Sequence, residues 1–314
     1  MSGGTARPET GLLRPLADDE LETFRQDGAA VVRGIIPVEW VDYLRTAVIR
    51  VMARSDPNSQ TYSAAGEPRF FGYSFPWLLD DAFSAWALQG PLVDLARQVM
   101  RTTRSVNFFY DQIFAKEPFA STRSPWHQDA PYLPLKGRRI IRTWLPLDTV
   151  TADSGAVRFL KGSHRWGVIY HPRGFKTISE YQPDFDRDYE RYDWLIGDAE
   201  PGDILLHHPR VVHGSPGNQT DRHRRALTNI YTGDGVTWNP TPASMFNNKA
   251  QTGHVNLPAL TRGEAIDCEL FPRVWSMPSR YDDVAINDDT GARGRSTEVT
   301  SRGDKGYGDH TRRR

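Results

Sequence analysis

His127-Gln-Asp129, within Ser124-Pro-Trp-His-Gln-Asp-Ala-Pro-Tyr132, constrains what this chain can fold into more than any other feature. Residues i and i+2 of an extended strand project from the same side, so an imidazole and a carboxylate aim together at one point. With a second imidazole they make the 2-His-1-carboxylate triad, which holds Fe(II) on one face and leaves the other open. The missing ligand has to arrive on a second strand folded against the first. His213-Gly-Ser215 qualifies, because Asp203-Ile-Leu-Leu-His-His208 and Arg210-Val-Val-His213 read as strand or strand-edge sequence after a Pro201-Gly202 turn. The open face of such a site takes dioxygen and a chelating 2-oxo acid. The far carboxylate of that acid needs a cation, and the planar fork of arginine matches a carboxylate bidentately. Arg224 or Arg225, opening Arg225-Ala-Leu-Thr-Asn-Ile-Tyr231, stands where a β-rich segment returns beside the His213 strand. Singly, an H-x-D tripeptide reads as a surface loop and a His before Gly-Ser as a turn. The joint pattern, continued by Asn218 and Arg224, is far more specific.

The 314 residues suffice for one large β domain with a substantial core. Lys plus Arg equals Asp plus Glu at 39 each, so there is no electrostatic case for a nucleic acid or an anionic membrane as partner. No apolar run reaches the length of a membrane span. The opening Met-Ser-Gly-Gly-Thr-Ala-Arg-Pro8 lacks an apolar signal core. Cys268, the single cysteine, permits no intrachain disulfide and fits a reducing cytoplasm, where the chain is expected. It reads as a small, partly buried residue rather than a nucleophile. The expected partner is a small organic molecule, and the oligomeric state stays open.

One catalytic domain is expected over 1–314. Residues 1–16 form a loose arm and 17–104 a helical layer. In that layer, Asp18 caps a helix that Gly28 stops, and Pro37 opens a second with helical apolar spacing from Val38 to about Ala53. Ser55 to Glu67 is polar and turn-rich. Leu78 to Met100 reads as two short helices broken at Gly90-Pro91. Short alternating runs then dominate: Ser105–Lys116, Arg139–Pro146, Ala156–Lys161, Asp203–His207, Val211–His213 and Arg225–Thr232. The fold class is mainly β with flanking helices, around a double-stranded β-helix of the jelly-roll or cupin-like kind over 105–286. Tyr170 to Trp194 interrupts the strand rhythm and reads either as a lid over the metal or as a solvated surface segment. Thr237 to Pro278 is a second irregular stretch, and 287–314 reads as a disordered tail.

The other histidines and aromatics have more than one reading. His207 and His208, being adjacent, point to opposite faces of a strand, and both are placed on the surface or around the ligands rather than among them. His164 reads as fixing a turn. Trp126, Tyr132 and Trp144 flank the metal strands and either wall a substrate pocket or fill the sandwich core. Gln112 and Thr143 are polar positions in strands near the site, candidates to hydrogen-bond the 2-oxo acid, with the register open by one residue.

These segments resemble the phytanoyl-CoA hydroxylase-like family of Fe(II)- and 2-oxoglutarate-dependent dioxygenases over most of the chain. The resemblance is carried by Leu21-Glu-Thr-Phe24, Asp27-Gly-Ala-Ala-Val-Val-Arg-Gly34, Trp126-His-Gln-Asp-Ala-Pro-Tyr132, Trp144-Leu-Pro-Leu-Asp148, Asp153-Ser-Gly-Ala156, Gly162-Ser-His164, Pro201-Gly-Asp203, and His213-Gly-Ser215 through Asn218 to Arg224. It departs mildly where Ser154-Gly155 replaces the usual Asn-Gly and where Pro216 follows Ser215. The resemblance implies iron held by His127, Asp129 and His213, with the 2-oxoglutarate C5 carboxylate on Arg224 and a hydrogen bond from Ser215. Related halogenases replace the carboxylate by a small residue; keeping Asp129 favours oxygen insertion or desaturation. The implied activity, with Fe(II), 2-oxoglutarate and O2, is oxidation of a C–H bond of a small hydrophobic molecule, hydroxylation first, in natural-product biosynthesis. Epoxidation, epimerisation, cyclisation and desaturation are the alternatives of the same cofactor class. A non-catalytic jelly-roll metal-binding or sensing protein is the alternative outside it.

Overall fold

A computed structural model describes residues 7–102, 104–170 and 182–277, except the side chains of Ala250 and Gln251. The chain runs through α1 (Asp18–Asp27), β1 (Ala29–Val32), α2 (Val38–Met52), β2 (Ser59–Thr61), β3 (Phe70–Ser74), α3 (Asp81–Gln89) and α4 (Leu92–Met100). It continues through β4 (Ser105–Lys116), β5 (Ser124–His127), β6 (Leu135–Lys136), β7 (Ile140–Pro146), β8 (Arg158–Leu160), β9 (Trp194–Ile196), β10 (Ile204–His207), β11 (His213–Ser215), β12 (Arg224–Thr232), β13 (Thr237–Trp238), α5 (Lys249–Thr252) and β14 (Arg273–Ser276). Among the described residues the large sheet is ordered β1-β10-β7-β12-β4-β3-β2, with β14 also on β4. A smaller sheet is ordered β5-β11-β8-β9, and β13 pairs with β6. The pairings are antiparallel, which is the jelly-roll class the sequence led to. The described residues make one compact unit. Residues 278–314, with the expected tail, lie outside the described part, as does most of the 1–16 arm's first half. No described helix is long and apolar enough to cross a membrane.

Period-two alternation decides which side chain faces what. On β7, Ile141 and Leu145 join Leu206 of β10, Leu227 and Tyr231 of β12, and Val106, Phe108, Ile113 and Ala115 of β4 in one buried cluster. Helices α2, α3 and α4 complete it with Val41, Leu44, Val48, Phe83, Trp86, Leu92 and Leu95. The helical layer therefore covers one face of the large sheet. The other face turns inward. There Trp144, Leu205 and Ala226 pack with Val157, Phe159 and Val211 from the small-sheet side, and a second cluster around Phe109, Phe246 and Phe271 fills in beside it. Helix α1 starts just after Ala17 rather than with Asp18 as cap. Glu20 Oε2 accepts from the Ala17 N–H at 2.8 Å, and Asp18, Asp19 and Glu20 place negative charge in the first turn. Gly28 stops the helix as expected, at φ 76°.

His208 follows β10, its Nδ1 accepting from the Arg210 N–H at 3.1 Å and its ring 5.6 Å from that of His164. Burial, then the charges of His164 and Arg210, push its pKa down to about 4. The folded value lies below the ordinary 6.5, so the unfolded chain binds the proton first. This contribution to stability is present above pH 6.5 and lost as pH falls towards 4. His208→Asn, whose Oδ1 keeps an acceptor for Arg210, is expected to shrink the stability lost between pH 7.5 and 5 by about 1 kcal/mol in urea unfolding. An unchanged pH slope would remove His208 from the account.

Candidate metal and co-substrate site

The ends of β5 and β11 bring the first two ligands together. His127 and His213 are direct partners in the antiparallel register, and their rings lie 4.2 Å apart. His127 Nδ1 donates to the Pro125 carbonyl at 2.7 Å and His213 Nδ1 to the Val211 carbonyl at 3.1 Å. Each bond commits the N–H of a neutral imidazole to Nδ1, leaving a bare Nε2 lone pair. Metal-binding histidines are held in this way, with the second nitrogen tied to a carbonyl. The two Nε2 atoms lie 3.7 and 3.8 Å from Asp129 Oδ1, and the three ligand atoms fall within 4.8 Å of one another. Burial lowers the pKa of His127 and takes that of His213 well below the usual value, so both stay neutral as a metal requires. Burial alone raises that of Asp129, but the Arg142 guanidinium, with His213 and His207, reverses this and holds the group ionised. Imidazole and carboxylate donors of this number and disposition fit Fe(II).

Two local expectations need correction. Asp129 is not on a strand: β5 ends at His127, and Asp129 adopts helical φ −74°, ψ −33° at the start of a 3₁₀ turn over Ala130–Tyr132. The Ala130 N–H bonds to the Pro209 carbonyl and the Tyr132 N–H to that of Asp129, so a turn rather than strand alternation swings the carboxylate to the imidazoles. His213 likewise begins its strand instead of ending one at Val211–His213. The preceding Pro209-Arg210 turn fixes the entry, where Val212 N–H bonds to Ser163 Oγ at 2.9 Å.

The three ligands line a cavity of about 550 Å³ shared with Gln112, Tyr132, Trp144, Ser215 and Arg224. Arg224 is 2 % exposed. Its Nε meets no hydrogen-bond partner among the described residues, and its guanidinium carbon stands 5.5 Å from the centre of the Trp144 ring. Desolvation pulls its pKa down to about 10, which leaves it a cation at neutral pH. A buried guanidinium nitrogen without an acceptor on the wall of a cavity fits an incoming carboxylate. Arg225, one residue on, is already paired: Nη2 and Nε reach Asp148 Oδ1 and Oδ2 at 2.6 and 2.8 Å. Of the two arginines left open by the sequence, Arg224 is the one facing the cavity. Ser215 Oγ donates to Ser124 Oγ at 3.2 Å and accepts from Lys116 Nζ at 3.1 Å. Lys116 is fully buried and pairs across the ladder with Arg224. Burial, then Arg224, depresses its pKa.

The remaining candidates divide by strand face. Gln112 lines the cavity, with Nε2 on Tyr62 Oη at 3.2 Å. Thr143 does not: it lies between Ile141 and Leu145 in the face covered by helices, and Oγ1 bonds to the Asn229 carbonyl at 3.4 Å. The register is one residue off there, and Arg142 and Thr228 occupy the inward positions instead. Trp126 does not wall the cavity either. It alternates with His127, so it projects outward into a cluster with Leu160, Phe185 and Val212, 4.5 Å from the Trp194 ring. Of the expected lid, 171–181 lie outside the described residues. The described part, Tyr170 and 182–194, packs in the Trp126 cluster through Tyr170, Phe185, Tyr189, Tyr192 and Trp194 and supplies none of the cavity lining. The lining comes from the other irregular stretch, through Pro242, Ala243, Ser244, Met245, Asn247 and Asn248, and from Tyr62, Phe70, Tyr110 and Phe114.

Sequence reasoning missed two contributors and left a third, His207, open between the surface and the surroundings of the ligands. Arg142 Nη1 donates to Asp129 Oδ1 at 2.8 Å; its alternation with Ile141 and in phase with Trp144 was the available signal. His207, fully buried, places Nε2 3.0 Å from Asp129 Oδ2. It belongs to the surroundings of the ligands, not to the surface, but Ile-Leu-Leu-His-His carries no polar alternation to say which histidine faces in. The hairpin of β2 and β3 carries Tyr62 and Phe70 to the cavity, and only its β2 half with Tyr62 lies in the Ser55 to Glu67 stretch read as turn-rich.

A profile described as phytanoyl-CoA dioxygenase (PhyH) matches residues 24–226. A probable phytanoyl-CoA dioxygenase of Caenorhabditis elegans is 28% identical over 37% of this chain, an alignment spanning only 38% of that protein's length. Phytanoyl-CoA dioxygenase domain-containing protein 1 of Danio rerio is 22% identical over 72% of this chain and 93% of its own. Among solved structures, the non-heme alpha ketoglutarate dependent epimerase SnoN from nogalamycin biosynthesis superposes with a TM-score of 0.68 at 20% identity, over 82% of this chain and 98% of that one. The family match covers both metal strands and Arg224, and the chain belongs to the phytanoyl-CoA dioxygenase family of non-haem iron, 2-oxoglutarate-dependent oxygenases.

Proposed function

We propose that this enzyme hydroxylates a C–H bond of a small, largely apolar organic molecule, using Fe(II) on His127, Asp129 and His213 and 2-oxoglutarate on Arg224. The observation that carries the reading is one cavity lined by both halves of the machinery: two bare Nε2 atoms and a carboxylate oxygen, and a buried guanidinium nitrogen with no partner among the described residues. The balance is R–H + O2 + 2-oxoglutarate → R–OH + succinate + CO2. Bound iron supplies the oxygen chemistry, and the protein supplies placement and exclusion of water. Arg224 orients the co-substrate through its C5 carboxylate, Gln112 and Ser215 offer polar contacts beside it, and Trp144 supports the guanidinium. Apart from Asp129, Arg142, Arg224 and the three neutral imidazoles, the described lining carries no ionisable group other than tyrosine. Tyr62, Phe70, Phe114, Tyr132, Leu133 and Met245 give it an aromatic and apolar character suited to an uncharged natural product rather than an acyl-CoA. The likeness to an epimerase is one of fold, so hydroxylation remains the reading on chemical grounds.

Anaerobic loading with Fe(II) and 2-oxoglutarate, then oxygen in the presence of a panel of neutral aromatic and polycyclic compounds, tests this by mass spectrometry. Succinate and a product heavier by one oxygen are expected in equal amounts. Succinate with a mass-neutral or dehydrogenated product would transfer the reading to epimerisation, cyclisation or desaturation. No succinate with iron bound would end it.

A further inference from the structure

Both oxygens of Asp129 are spoken for. Oδ1 faces the two imidazole nitrogens at 3.7 and 3.8 Å and accepts from Arg142 Nη1 at 2.8 Å. Arg142 is braced in turn, with Nη2 reaching Thr228 Oγ1 at 3.2 Å and Gln112 Oε1 at 3.4 Å. Oδ2 meets His207 Nε2 at 3.0 Å. An ionised carboxylate only accepts, so the proton of this contact sits on His207 Nε2. In the neutral ring that leaves Nδ1 bare, and Nδ1 is the buried atom that meets no partner among the described residues. The ring is fixed in that orientation by Phe159 at 5.1 Å and His213 at 4.6 Å. His207 is therefore a directed donor on the oxygen that does not face the imidazoles.

A carboxylate binds a metal through one oxygen or chelates it through two. Chelation by Asp129 would take a position that the 2-oxo acid or dioxygen needs. We propose that His207 is a positioning residue which, by holding Oδ2, keeps Asp129 a one-oxygen ligand and reserves the open metal positions for 2-oxoglutarate and oxygen; the inference rests on the iron site proposed above. Arg142 holds the same carboxylate from the other oxygen, so the plane of the group is set from two strands, β7 and β10.

Calorimetry with Mn(II), which stands in for Fe(II) without redox chemistry, followed by 2-oxoglutarate, separates this role from a structural one. In His207→Phe the freed Oδ2 joins the metal, so Mn(II) binds no more weakly than in the unaltered protein while the affinity for 2-oxoglutarate falls roughly 10–100-fold. His207→Gln, which returns an N–H at a similar reach, restores most of that loss, and His207→Leu reads the same quantities should phenylalanine crowd Phe159. A fall in 2-oxoglutarate affinity under about fivefold overturns the proposal. So does a weakening of Mn(II) itself in His207→Phe, which would make His207 a ligand or a plain structural support. Failure of the unaltered protein to bind Mn(II) and 2-oxoglutarate at all would count against the iron site and not against His207.

Discussion

His213→Ala leaves the protein without iron. After anaerobic loading and desalting, the unaltered chain is expected to hold one iron and the variant essentially none. His213 supplies one of three protein donors, and its Nε2 is already bare and aimed by the Val211 carbonyl, so no reorganisation offsets the loss. Outer-shell changes at metal sites cost roughly 10–100-fold in affinity or activity, and removing a ligand costs more. The fold is expected to persist, because β11 pairs through its backbone with β5 and β8 on either side and alanine keeps those bonds. Circular dichroism and the thermal midpoint check that separation. His127→Ala is expected to match it, since the two residues are equivalent partners across one ladder. Normal iron content and turnover in either variant would place the metal elsewhere.

The parts of this site that the sequence exposed are those where chemistry and local pattern coincide. His127, Asp129, His213 and Arg224 carry functional groups too costly to place together in a protein interior without a purpose, and their order along the chain survives folding unchanged. What escaped depended on face, and face is set by register. Thr143 and Arg142 differ by a single position, and the packing of Ile141 and Leu145 under the helices settles which one turns inward. The same one-residue logic put Trp126 outside and His127 inside on β5. Same-side projection from one strand predicts that the triad converges, whereas the chain leaves the strand at His127 and a 3₁₀ turn does the converging. Long-range partners were beyond local reasoning altogether. Nothing near residue 62 or residue 245 in the sequence says that Tyr62 and Met245 meet across the cavity, because that proximity is created by sheet order rather than by propensity.

Arg224→Leu is expected to raise the requirement for 2-oxoglutarate and leave iron in place. A charge-assisted contact to a carboxylate contributes on the order of 1.5–3 kcal/mol, or roughly ten- to over a hundredfold in affinity. Arg224 has the means to deliver that range: it is buried, it remains a cation because its lowered pKa of about 10 is still above neutrality, and its Nε has no acceptor among the described residues to release first. Arg225→Leu is the internal control. Its guanidinium is committed to Asp148, and Asp148 lies 3.6 Å from Arg45 of α2, on the helical side of the sheet. Losing it is expected to cost stability, seen as a lower unfolding midpoint, with co-substrate affinity nearly unchanged. The two substitutions remove the same charge from neighbouring positions of one strand, so long-range electrostatics alone would affect both alike. A difference between them reports direct contact on one face of β12. Equal effects, or a larger effect at Arg225, would mean that the co-substrate carboxylate is not held by Arg224 and that the cavity binds it in another orientation.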